Sequence, residues 1–138
     1  MTKEQKDLLF RDLCSRLPYK TIVRINNGKH LEDVELQTYI LDDMEGFEPM
    51  PYLRPMSCIY DSDCKYVDDF KSILPYPTGD VFVGPNYFTI FYQLNQLDIP
   101  YYWFREVVDW LNAHNFDHIG LIKKGLALEA PEGMYKEK

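Results

Sequence analysis

The sequence predicts an α+β fold: a small antiparallel β-sheet, with a hairpin near the N-terminus, flanked by three to five helices. Three observations carry this expectation. Apolar residues recur at helical spacing over 9–17, β-branched residues crowd 20–26 ahead of an Asn-Gly turn, and 101–114 carries a broad apolar stripe. The chain has 138 residues, 46% of them apolar and 27% charged, which suits one domain over 1–138 that needs no disulfide or metal to close its core.

The first helix is expected from about Thr2 to Leu17. Thr2 and Gln5 fit a capping box, in which each side chain satisfies an orphan amide of the first turn. Leu9, Phe10, Leu13, Cys14 and Leu17 form its apolar face, and Pro18 stops it. Residues 20–26 read as a strand, Asn27-Gly28 as a turn, and 34–41 as a second, antiparallel strand. Residues 45–57 hold three prolines and read as an extended internal strap packed on the body. A helix is expected over 62–74, a short strand at Val81–Val83 and a helix from Tyr87 to Leu97. Pro100 then opens a helix from Tyr101 to His114. Asp117 can cap a short helix, His118 to Lys124, which Gly125 ends. Leu126 to Pro131 is expected to dock, and Met134 to Lys138 to fray.

Charge is unevenly spread. Residues 1–29 hold seven Lys/Arg against three Asp/Glu, whereas 30–117 hold four against sixteen. Nucleic-acid binding needs clustered positive charge, so only the basic N-terminal helix favours it, and nucleic acid is an unlikely partner. No apolar run reaches the ~20 residues of a membrane span, and the charged N-terminus is no secretory signal. The three cysteines, Cys14, Cys58 and Cys64, read as reduced thiols, with Cys14 in the core. A cytoplasmic protein follows.

His114 and His118 stand four apart and would share a metal on one continuous helix, but Asn115-Phe116-Asp117 reads as a helix junction, which spoils that geometry. No cofactor is expected, and the acidic clusters read as a solvated face. No nucleophile elbow, phosphate loop or dinucleotide motif is present. A Cys–His pair of Cys58 or Cys64 with His114 is the nearest approach to catalytic chemistry.

Aromatic residues are the unusual feature: 15% of the chain, including eleven tyrosines. A small domain cannot easily bury so many hydroxyls, and exposed Tyr beside Trp or Arg is the composition of recognition surfaces. Pro51 to Pro55, around Tyr52 and Arg54, could expose a polyproline-like strip or form a structural strap. The candidate binding residues are therefore Tyr52, Arg54, Tyr87, Tyr101, Tyr102 and Trp103.

Three stretches carry a resemblance: Asp12 to Tyr19, Pro51 to Ser57, and Trp110 to Tyr135. Together they resemble a family of small uncharacterised proteins of Bacteroides-type gut bacteria and of their phages and mobile elements. In place of the family's second Ser and Glu/Lys-rich helix start, this chain has Cys58-Ile59-Tyr60-Asp61. The resemblance implies a cytoplasmic accessory protein of phage or mobile-element origin and supplies no activity. The expectation is a non-catalytic protein that binds a macromolecule, most often a protein. A small metal-dependent or Cys/His hydrolase is the alternative, and nucleic-acid binding through the N-terminal helix comes third.

Overall fold

A computed structural model describes residues 2–56, 69 and 101–135, the side chains of 101–104 excepted. The chain divides into two compact units, one of Met1–Leu53 with Leu121–Lys138, the other of Arg54–Gly120. The first junction falls inside the 45–57 segment.

The first unit opens with α1 (Lys3–Arg16). Its capping box forms as expected: Gln5 N–H donates to Thr2 Oγ1 (3.1 Å) and Thr2 N–H to Gln5 Oε1 (2.9 Å). A 3₁₀ turn, Leu17–Tyr19, carries the chain past Pro18 into β1 (Ile22–Asn26). The hairpin to β2 (Leu31–Glu35) is antiparallel, with Val23 facing Val34. Its four-residue loop is built by amide side chains. Asn26 Oδ1 accepts from Gly28 N–H and Asn27 Oδ1 from those of Lys29 and His30, while Gly28 takes φ +90°.

The second strand is shorter and earlier than 34–41. It ends at Glu35, and Thr38–Asp42 forms a short helix, α2. Leu36 is buried and its N–H donates to Thr21 O, the last bond between the two segments before the chain turns into α2. Next comes α3 (Met44–Phe47), and then the strap becomes a strand, β3 (Met50–Leu53). The sheet order is β2-β1-β3-β4, with β4 the two residues Leu128–Glu129. The expected antiparallel pairing holds for β2, β1 and β3; β4 adds to β3 in parallel, making the sheet mixed.

Pro51 sits in an interior strand, where a missing N–H is normally costly. Here it is harmless. Leu53 O accepts from Ala130 N–H on the β4 side, so by alternation the nitrogen of residue 51 also faces that side, before the first β4 pairing at Tyr52↔Leu128. On the β1 side, Tyr135 completes the ladder. Its hydroxyl accepts from Ile22 N–H (2.9 Å) and donates to Tyr52 O (2.6 Å). Tyr135 is therefore anchored, contrary to the fraying expected there, and 136–138 lie outside the described residues.

One sheet face is buried through Val23, Ile25, Pro51 and Leu53. From α1, Leu9 and Leu13 are buried as expected, but the rest of the buried face is Asp12 and Arg16, joined by an ion pair of 2.8 Å. Cys14 and Phe10, expected inside, are exposed. Gly125 (φ +75°) closes a single turn: its N–H donates to Ile122 O, and that of Leu126 to Leu121 O. The expected helix over 118–124 is absent; these residues form turns.

In the second unit, α4 (Tyr101–Ala113) matches the expected helix to within a residue. It ends in a Schellman motif. Asn115 takes φ +60°, its N–H donates to Asn112 O, and that of Phe116 to Leu111 O. Asp69 is helical and exposed. The rest of the helix expected over 62–74, the strand at 81–83 and the helix from Tyr87 lie outside the described residues.

Candidate interaction surface

Of the sequence-derived candidates, Tyr52 belongs to the first unit and Arg54, Tyr101, Tyr102 and Trp103 to the second. Tyr52 lies in β3 on the face of the sheet opposite Val23 and Pro51. Its hydroxyl donates to Asp33 Oδ1 (2.9 Å), spanning β1 to reach β2. Partial burial, then the hydrogen bond and charge of Asp33, raise its pKa above the ordinary 10.0, against a smaller opposing effect of Arg24. Arg54 belongs to the second unit, where it is half-buried. Its guanidinium donates to His114 O (2.6 Å), and its backbone bonds to Asn115 O and Asp117 N–H. Met50–Leu53 is paired in a sheet and Pro51 is buried, so 51–55 is no exposed polyproline strip. Tyr101, Tyr102 and Trp103 lie in the first turn of α4, and Tyr87 lies outside the described residues.

The two histidines also part company. His114 stacks on Trp110 (centroids 4.0 Å apart) with Nδ1 2.9 Å from Trp110 O, while His118 is buried with Nε2 2.7 Å from Asn112 Oδ1. The left-handed Asn115 between them ends the helix, so they do not share a helical face. Among the described residues no group of three or more His, Cys, Asp or Glu is placed to hold a metal ion. Among the same residues no helix is long and apolar enough to cross a membrane. The cations of α1 are partly engaged: Arg16 is buried against Asp12, and Lys6 Nζ pairs with Glu45 Oε1 at 2.7 Å.

The feature that sequence reasoning missed lies where α1, α2 and α3 come together. Tyr39 of α2 meets Phe47 of α3 edge to face, with centroids 5.5 Å apart and planes at 73°. Tyr39 remains 50% exposed. α1 packs against α2, and the Lys6–Glu45 pair ties α1 to α3. Phe10 stands one turn beyond Lys6 on the same side of α1 and is 43% exposed. Tyr39 and Phe47 thus form an aromatic pair on this side of the unit, and Phe10 is a further exposed ring on α1.

Local chemistry fixes α3 beneath it. Asp43 Oδ1 accepts from Gly46 N–H (3.0 Å), a side-chain cap, and Glu48 closes the helix with φ +47°. A Cβ at Gly46 would run into the Asp43 carboxylate and push aside the cap it makes. Lys6 holds the Glu45 carboxyl below its usual range, by hydrogen bond first and by charge second. The available sequence signal was Phe10 itself: with Asp12 and Arg16 taken as an i,i+4 pair on the buried side, Phe10 falls outside.

No family model matches the chain, and no curated protein or solved structure matches it either.

Proposed function

We propose that the chain is a non-catalytic binding module that docks a protein on its α1–α2–α3 face. The observation that supports this is the exposure of Tyr39 against Phe47, with Phe10 exposed on the helix that packs against α2. Large rings left in water are the anchors from which protein interfaces draw most of their energy. Covering the exposed half of one such ring contributes roughly 2 kcal/mol. The rim is polar, with the Lys6–Glu45 pair at its edge, as at interfaces whose apolar centre is ringed by solvated charge. The resemblance to uncharacterised mobile-element proteins is consistent with such an accessory role. Nucleic acid is disfavoured by the consumption of Arg16 and Lys6 in ion pairs within α1 and to α3.

The test is affinity capture from a lysate of the source cells after nuclease treatment, using the wild type and the double variant Phe10→Ser/Tyr39→Ser. A stoichiometric protein is expected on the wild type and absent from the variant. Equal recovery on both, or loss of the partner on nuclease treatment alone, would contradict the proposal. Circular dichroism of the variant establishes that it is folded.

A further inference from the structure

We propose that Asn27 is a self-modification site: its side-chain amide is lost through attack by Gly28, and the folded hairpin holds this reaction back until its tip opens. Asn27-Gly28 is the one Asn-Gly pair in the sequence. Glycine has no Cβ to crowd the approach of its nitrogen to the Asn27 side chain. In the reaction the Gly28 nitrogen gives up its proton and bonds to Asn27 Cγ. The Cγ–Nδ2 bond breaks, ammonia leaves with that proton, and a five-membered succinimide closes. One water then opens the ring. Attack at Cγ leaves aspartate, and attack at the main-chain carbonyl leaves isoaspartate. Nothing is oxidised or reduced, and water is the co-reactant. Asn27 and Gly28 are both exposed, so water reaches them.

The folded loop holds the nucleophile, the carbonyl oxygen and the leaving nitrogen, each by its own hydrogen bonds. Gly28 N–H donates to Asn26 Oδ1 (3.1 Å). Asn27 Oδ1 accepts from the N–H groups of Lys29 and His30 (3.0 Å each), which fixes the rotation of the carboxamide. Asn27 Nδ2 donates to Glu32 Oε2 (3.0 Å). Ring closure strips the proton from the Gly28 nitrogen and expels Nδ2, so it forfeits the first and the last of these bonds. The products also fit the loop badly. Aspartate would set a carboxylate against Glu32 where an amide had donated. Isoaspartate threads the main chain through Cγ, one carbon longer, at the turn that sets Asn26 against Leu31. Modification therefore follows opening of the hairpin tip and then hinders its closing.

The experiment incubates the full chain at one pH and temperature, folded in buffer and unfolded in urea. The tryptic peptide Ile25–Lys29 is followed by mass spectrometry, with isoaspartyl methyltransferase marking isoaspartate. Loss of the Asn27 amide should be roughly tenfold or more slower in the folded chain. Asn26→Ala and Glu32→Ala each remove one acceptor. Each should raise the folded rate about threefold, taken relative to the same variant's unfolded rate. Asn27→Asp, which carries one product, should exchange amide hydrogens faster than the wild type over 22–35. Circular dichroism establishes that each variant is folded. Equal rates in the folded and unfolded chain would overturn the proposal, since the hairpin would then hold nothing back. A slow folded rate that neither acceptor deletion raises would overturn it too, because the protection would not come from these bonds. An unfolded chain that keeps its Asn27 amide would remove the site altogether.

Discussion

Asp12 and Arg16 show how much one turn of helix decides. Both side chains are fully buried, one turn apart, with Nε 2.8 Å from Oδ2. Removing one partner strands a charge in a place water cannot reach, so Asp12→Ala should cost about 3–5 kcal/mol in chemical denaturation. Replacing both, as Asp12→Leu/Arg16→Met, should recover most of that loss, because two apolar groups of similar length leave no charge behind. Tyr52 gives a second prediction at this scale. Its pKa is raised in the fold, so the neutral hydroxyl is the favoured form. The stability it lends is complete below the unfolded value near 10.0 and is lost as pH climbs through the higher folded value. Ultraviolet titration should therefore show a tyrosine step above the ordinary 10.0 that Tyr52→Phe removes. These residues also mark where the sequence misleads. A hydrophobic-periodicity template places Phe10 and Cys14 inside and cannot rank a charged pair as interior, so it turned the face of α1 by part of a turn.

At the scale of elements, legibility followed length and capping. α1 and α4 each run for several turns and have local start or stop chemistry, the Thr2–Gln5 box and the Asn115 turn, so both were readable within a residue or two. The hairpin was readable from its β-branched residues and Asn-Gly. The shorter pieces were not. α2 has five residues and α3 four, too few to show a helical period, and Leu36 to Leu41 reads equally as a strand. β4 has two residues and is a strand only because β3 supplies its partner. Tyr135 belongs to this scale, since it replaces ladder bonds between β1 and β3. Tyr135→Phe keeps the ring and deletes the hydroxyl, leaving Ile22 N–H and Tyr52 O to find other partners. It should cost about 1–2 kcal/mol in denaturation and quicken hydrogen exchange at the Ile22 amide. Unchanged exchange there would mean that the hydroxyl does not carry the β1–β3 join.

For the molecule as a whole, the α+β class was legible, and the aromatic excess is what made a recognition surface worth seeking. The place proposed for that surface was not legible. The named candidates clustered around Tyr52, Arg54 and 87–103, whereas among the described residues the exposed rings are Phe10 on α1 and Tyr39 on α2, two helices in contact. A surface made by α1 and by the neighbouring α2 and α3, with the β-hairpin between them in sequence, leaves no contiguous motif to find. Charge distribution, by contrast, survives folding, because a stretch without a single base from Leu31 to Leu53 stays acidic however it is arranged.

The central claim is that a protein partner covers the α1–α2–α3 face. Hydrogen-exchange mass spectrometry of the captured complex against the free chain tests it most directly. Protection on binding should concentrate in 3–16 and 38–48, the segments that carry Phe10, Tyr39 and Phe47. Protection confined to the β-sheet or to α4, with 3–16 and 38–48 exchanging as in the free chain, would contradict the account.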